Sequence, residues 1–327
     1  MQKIRLYLVL VFIGSAILSG FNKLDQISSA GTEFELLLNY LEENGDFINS
    51  TKVPALITAE ALNSNLGRRN LVIDIRNEES YTQGHIRGAR NIPGPELLIY
   101  FREDIEPTKY DKITLVGYSG QAAAYYTSLL HYAGYDNVYS LKWGMSSWGE
   151  DFAQNIWVEN SKNEFDGIIE KTPNPMPEKG SQPIVSTGKI EAKDILNARI
   201  EAAFLKPYED LMVNTSDVME APDKFYIINY TEENRYKEGH LPGAILYQPK
   251  KSFHSTTDLF TLPADKKVVL NCDSGQNAAY AIAFLHILGY DVANLAYGCN
   301  SYMNATMVEN NWTAFSTEEI KNYTYAE

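Results

Sequence analysis

The sequence predicts an α/β protein built from two tandem copies of one unit, each with a mainly parallel sheet flanked by helices. A shift of 155 residues lays the chain on itself. Asp74 falls on Asn229, Gly84-His85 on Gly239-His240, and Gly88-Ala89 on Gly243-Ala244. Ser119-Gly120-Gln121 meets Ser274-Gly275-Gln276, His131 meets His286, and Gly134-Tyr135-Asp136 meets Gly289-Tyr290-Asp291. After a one-residue deletion Gly144 meets Gly298. A period this long marks domain duplication, since solenoid repeats run about 20–50 residues. Inside each copy, short apolar runs rich in branched residues alternate with helical stretches, the pattern of a parallel sheet with crossover helices.

Taken in chain order, residues 1–30 read as a targeting segment. Lys3 and Arg5 precede the apolar run Leu6–Leu18, which is too short to cross a bilayer core of ~30 Å. Ser28-Ser29-Ala30 offers a small-residue cleavage site, and Leu18-Ser19-Gly20 resembles a bacterial lipoprotein box. Phe21 stands where the lipidated cysteine of such a box would be, so the lipoprotein reading fails. The expectation is export to the periplasm or another extracytoplasmic space, with an uncleaved membrane anchor as the alternative. The first copy spans 32–160, and the spacing of apolar residues in FELLLNYLEE predicts a helix over Glu33–Glu43. Its strands are expected at 70–76 and 112–118, with a helix over Gln121–Ala133 ending at Gly134. A linker, 161–188, centres on KTPNPMPEKGSQP, whose Pro and Gly forbid regular pairing. The second copy, 189–320, repeats the pattern: a helix over Ile190–Phe204, strands at 224–230 and 266–272, and a helix over Gln276–Leu288 ending at Gly289.

Composition excludes several classes. Hydrophobic residues at 44% are enough to bury a core, which excludes a disordered chain. A net charge of −14 makes nucleic acid an unsuitable partner. Two cysteines, Cys272 and Cys299, exclude a disulfide scaffold and a four-thiolate zinc centre, and no His, Cys or Asp spacing makes a metal site. No organic cofactor is implied.

Asp74-Ile75-Arg76, Glu79, Tyr81, and the run Gly84-His85-Ile86 through Gly88-Ala89 to Pro93 resemble the signature of the rhodanese superfamily. The second copy repeats it at Tyr236, Gly239-His240-Leu241-Pro242-Gly243-Ala244. A closing motif at Trp143-Gly144-Met145-Ser146-Ser147-Trp148 recurs loosely at Tyr297-Gly298-Cys299-Asn300-Ser301-Tyr302. The resemblance implies two five-stranded rhodanese-like domains and sulfur transfer through a cysteine persulfide, the cysteine opening a six-residue loop between strand and helix. That loop is Cys272-Asp273-Ser274-Gly275-Gln276-Asn277 here, and its counterpart Gly117–Ala122 has no thiol. An inactive first copy beside an active second one is an arrangement common among tandem members.

The residues support that chemistry on their own terms. A thiolate is the sulfur nucleophile, and a free cysteine is mostly protonated near neutrality. Backbone N–H groups of residues 273–277 and the helix dipole would favour the anion and cradle a persulfide, with Ser274 adding a hydroxyl donor. Asp273 adds a negative charge beside the thiol, Asn277 and Ala278 stand where active relatives often carry arginine, and Asn229 and Thr231 replace the Asp and Arg of the entry motif. Cys299, after the next strand, is a candidate resolving thiol or disulfide partner for Cys272, with a core filler in place of Met145 as the plainer reading. His85 and His240 sit in the structural turn and are read as scaffold.

The function expected is an exported sulfurtransferase or persulfide carrier. Its donor would be a small sulfur-containing anion such as thiosulfate or polysulfide, or a protein persulfide, and its acceptor a thiol or cyanide. The alternative is a catalytically lapsed binding or scaffold protein of an exported complex, with an exported protein partner. Phosphatase chemistry is disfavoured by the short loop and the missing phosphate-binding arginine.

Overall fold

The computed structural model describes residues 31–327. The targeting segment expected at 1–30 lies outside the described residues. Two five-stranded sheets form, every pairing in them parallel. The first holds β1 (Leu56–Ile57), β2 (Asn70–Asp74), β3 (Arg90–Asn91), β4 (Lys112–Val116) and β5 (Val138–Leu141) in the order β1-β5-β4-β2-β3. The second repeats that order with β6 (Met212–Val213), β7 (Phe225–Tyr230), β8 (Ile245–Tyr247), β9 (Lys267–Asn271) and β10 (Val292–Leu295), as β6-β10-β9-β7-β8. The central strands are buried on both faces, as apolar runs without polar alternation require.

The helices that position the site are α1 (Glu33–Glu43), α2 (Glu78–Gln83), α3 (Gln121–Tyr132), α4 (Ala192–Phe204), α5 (Glu233–Glu238), α6 (Gln276–Ile287) and α7 (Asn300–Glu309). Thr32 caps α1 through a reciprocal pair with Glu35, a device that contributes about 1 kcal/mol. Its stripe of Phe34, Leu37, Leu38 and Leu41 is buried, as the spacing predicts. α3 and α6 end one residue before the expected positions, and Gly134 and Gly289 follow with φ of 97° and 96°.

The two copies share one core. α3 lies against α6, and Leu129, Leu130, Ile282 and Leu285 belong to a single buried cluster. Ser128 donates to the Tyr280 carbonyl at 3.0 Å, Tyr280 Oη donates to the Ala55 carbonyl at 2.9 Å, and Tyr125 Oη pairs with His286 Nδ1 at 2.7 Å. The opening helices cross between copies. Phe34 of α1 packs on Phe260 and Tyr290, with ring centroids 6.5 and 6.3 Å apart, while Phe204 of α4 stacks on Tyr126 at 5.6 Å.

The segments that follow each copy are exchanged in the same way. Beyond the first copy, Lys162 bonds to Asn300 and Glu170 forms an antiparallel bridge with His240. Beyond the second, Lys321 and Tyr323 bond to the Ser147 and Trp148 carbonyls, and Ala326 bridges His85. Tyr323 and Tyr325 supply the apolar contact, 5.0 Å from Trp148 and 4.9 Å from Phe152. The stretch assigned to the linker is thus irregular but docked, and residues 321–327 pack on the first copy.

Candidate active site

Cys272 follows the last residue of β9 on the strand's alternation. Val268, Leu270 and Cys272 face the core shared by both copies, while Val269 and Asn271 face the other side. The thiol is 3% exposed and its Sγ accepts the Ala278 N–H at 3.3 Å. Behind it the loop is pinned by the segment after β10. The Cys299 N–H donates to the Cys272 carbonyl at 2.9 Å, and Asn300 Nδ2 donates to the Asp273 carbonyl at 2.8 Å. Gly275 turns the loop with φ of +70°, and Asn294 Nδ2 holds its carbonyl at 2.8 Å.

In front of the thiol lies a cavity of about 410 Å³ to which both copies contribute. Pro54, Leu56 and Lys142 come from the first copy, facing Tyr230, Lys250, Cys272, Ser274 and Asn277 of the second. Among the described residues no group of three or more His, Cys, Asp and Glu is arranged to hold a metal ion.

A model of the rhodanese-like domain matches residues 58–151 and again 212–305. The chain belongs to the rhodanese-like domain family. The thiosulfate sulfurtransferase GlpE of Shewanella oneidensis is 35% identical over 79 residues, covering 24% of this chain and 75% of that protein. Among solved structures, a thiosulfate sulfurtransferase of Pseudomonas aeruginosa is 18% identical with a TM-score of 0.30, covering 78% of this chain and 46% of its own. A rhodanese-related protein of Thermoplasma volcanium is 22% identical with a TM-score of 0.26, covering 31% and 93%.

Within this rhodanese-like pair, the first copy keeps the loop and lacks the thiol. Met145 N–H donates to the Gly117 carbonyl at 2.9 Å, the counterpart of the Cys299–Cys272 bond. The two loops also brace each other. Gln121 Nε2 donates to the Leu295 carbonyl at 3.3 Å and its Oε1 accepts the Tyr297 N–H at 3.0 Å; Gln276 Nε2 donates to the Ser119 carbonyl at 3.1 Å. The Gln276 side chain therefore buttresses the interface between the copies. Ser274 Oγ accepts the Gln276 N–H at 3.4 Å, which leaves its hydroxyl hydrogen free to donate. The Ala278 N–H, one residue beyond the predicted cradle, donates to the sulfur, and the Ser274 N–H within the cradle also favours the thiolate.

The Ala278 and Ser274 N–H groups favour the thiolate, as the loop predicts, but burial outweighs them in the resting protein. Burial, helped by Asp273 and Cys299 and opposed by the Ala278 and Ser274 N–H groups, leaves the Cys272 thiol raised to about 12. Desolvation of a thiolate outweighs one or two backbone donors. The alkylation rate of Cys272, followed by peptide mapping, is therefore expected to rise about tenfold per pH unit from pH 7 to pH 10. A plateau by pH 8 would show that the loop does lower the thiol.

Cys299 lies on the other face of the sheet, where its Sγ contacts Tyr302 Oη at 3.2 Å and Asn271 Nδ2 at 3.4 Å. Both cysteines are free thiols here, and Cys299 packs as core where Met145 packs in the first copy. His85 and His240 stack on Tyr81 and Tyr236 with centroids 3.8 and 3.7 Å apart, each ring's Nδ1 at a backbone carbonyl.

Arg235 is the site residue that sequence reasoning missed. In the first copy Arg76 pairs with Asp74 at 2.7 Å and donates to the Gly84 carbonyl at 2.6 Å. In the second, Arg235 on α5 donates to the equivalent Gly239 carbonyl at 3.0 Å and pairs with Asp273 at 3.2 Å, its guanidinium 3.5 Å from the Trp312 ring centroid. The charge beside Cys272 is thereby matched, although burial still pushes the Asp273 carboxyl above its usual range. The signal was a paired replacement: Arg235 and Asp273 occupy the repeat positions of Ser80 and Tyr118, which bond to each other at 2.8 Å.

Proposed function

We propose that the second copy is a sulfurtransferase that carries sulfur on Cys272, with thiosulfate or polysulfide as donor and a thiophilic acceptor. The observation that carries this reading is the single thiol at the head of the loop, bonded by the Ala278 N–H and facing a cavity lined by two lysines. With thiosulfate, the Cys272 thiolate attacks the outer sulfur, the S–S bond breaks, and sulfite leaves with the bonding pair. The proton lost from the thiol passes to solvent. Cyanide or a thiolate then attacks the terminal persulfide sulfur, forming thiocyanate or a new persulfide and returning Cys272 as thiolate. A persulfide is more acidic than a thiol and one atom longer, so it relieves part of the desolvation cost by reaching toward the cavity.

Residues 1–30 support an extracytoplasmic location for this chemistry, periplasmic in a bacterial cell, where the acceptor is a small thiol or an exported protein partner. A second reading, a lapsed carrier or scaffold, is favoured by one observation: the fully buried resting thiol, raised to about 12.

Mass spectrometry after incubation with thiosulfate separates the two. The expected result is one added sulfur atom on the Cys272 peptide, removed by cyanide and absent from Cys272→Ala. No added sulfur from thiosulfate or polysulfide at any pH up to 10 would sink the sulfurtransferase reading in favour of the scaffold.

A further inference from the structure

We propose that Lys142, a residue of the copy without the thiol, is an anion-contacting and specificity-determining residue of the Cys272 cavity, and that Glu319 competes for its charge. That the anion is a sulfur donor rests on the sulfur-transfer reading; the anion site itself does not.

A chain of charge −14 repels an anionic donor, so the cavity must supply its own attraction. Its wall carries Lys142 and Lys250 against Glu232 and Asp273, and Asp273 is already paired with Arg235. The two lysines differ in how they are held. Lys250 is exposed, on a residue with φ of +62°. Lys142 follows β5 with its N–H on the Ile57 carbonyl at 2.9 Å and its own carbonyl accepting Ser147 Oγ at 3.0 Å. Its side chain is 27% exposed, and Nζ lies 4.9 Å from the Trp143 ring centroid. A cation fixed in a partly dewatered wall attracts an anion more strongly than one swinging in solvent.

The repeat supplies the second argument. The residue that follows β10 in the same way is Ala296, whose N–H bonds to the Val213 carbonyl at 2.9 Å as that of Lys142 does to Ile57. The stretch after β10 meets the first copy's loop through Gln121, which bonds to the Leu295 carbonyl and the Tyr297 N–H. Lys142 lines the Cys272 cavity, whereas the residue at its repeat position after β10 is Ala296.

Glu319 lies on the exchanged segment that returns from the second copy to the first, with Oε1 at 3.3 Å from Lys142 Nζ. It is 30% exposed and holds the ammonium. An entering anion must draw the ammonium from Glu319, which favours a doubly charged donor over a singly charged or neutral one.

The test measures thiosulfate binding by calorimetry to Cys272→Ser, which cannot react, alone and combined with Lys142→Met, Lys142→Arg or Glu319→Gln. Lys142→Met is expected to weaken binding about tenfold, Lys142→Arg to restore most of it, and Glu319→Gln to strengthen it a few-fold. Raising the salt should weaken binding to Cys272→Ser and have less effect on Lys142→Met. In the chain with its thiol, sulfur loading from thiosulfate should fall by the same factor in Lys142→Met, while the reaction of the Cys272 thiolate with a neutral dialkyl trisulfide, which forms a Cys272 mixed disulfide and releases an alkyl persulfide, stays within twofold. Equal thiosulfate affinity with and without the Lys142 ammonium would overturn the proposal, as would equal slowing with both reagents. Anion binding that depends on Lys142 in a protein that takes up no sulfur would uphold the proposal and sink the sulfurtransferase reading instead.

Discussion

Gly298→Ala is expected to abolish persulfide loading and to lower stability by several kcal/mol. Gly298 adopts φ of +57°, and a Cβ there would lie 2.0 Å from the Cys272 carbonyl oxygen and 2.5 Å from the Gly275 nitrogen. Both are backbone atoms of the Cys272 loop, so relief requires moving the loop itself, and with it the Ala278 N–H that meets the sulfur. Two companion variants separate strain from site damage. Gly88→Ala has φ of +83° with no atom within 4 Å of the new Cβ, so it should cost only about 1 kcal/mol of backbone strain. Gly144→Ala makes the equivalent clash in the first copy, 2.4 Å from the Gly117 oxygen, and should lower stability while leaving loading of the folded fraction near normal. Denaturant unfolding and persulfide loading measured on the same samples decide it. Normal loading by folded Gly298→Ala would mean that the loop geometry around Cys272 is not needed for the chemistry.

Arg235→Leu should destabilise the protein by about 2–4 kcal/mol, most of it recovered by adding Asp273→Asn. Arg235 is buried, and its guanidinium joins three groups at once: the Asp273 carboxylate, the Gly239 carbonyl and the Trp312 ring. Removing it leaves Asp273 partly buried, without its cation, and next to Cys272. The same variant should slow sulfur loading, because an unmatched carboxylate raises the thiol further, and the double variant should restore the rate. Strict additivity of the two single substitutions in a denaturant cycle would show that the pair is not coupled.

The chain's own order of residues determined the duplication, the alternation of parallel strands and helices, and the position of Cys272 at a strand end ahead of a glycine loop. These are local properties. A strand announces itself through its apolar run, a helix end through Gly134 or Gly289, and the loop through Ser274-Gly275-Gln276, all within a few residues. The scaffold reading of His85 and His240 was legible for the same reason, because each ring's partners lie four residues away.

What the tertiary structure alone decided depends on residues brought together from distant parts of the chain. The thiol is driven up by burial within a core drawn from both copies, a desolvation that no loop motif reveals. Arg235 took over the work of Arg76 from a helix rather than a strand end, since a long side chain can reach the same carbonyl from either element. The exchanged tails and the place of Lys142 on the wall of the Cys272 cavity follow from the packing of the two copies on each other. Periodicity specifies which face of an element is buried, but only the assembled fold specifies which charges share that buried face.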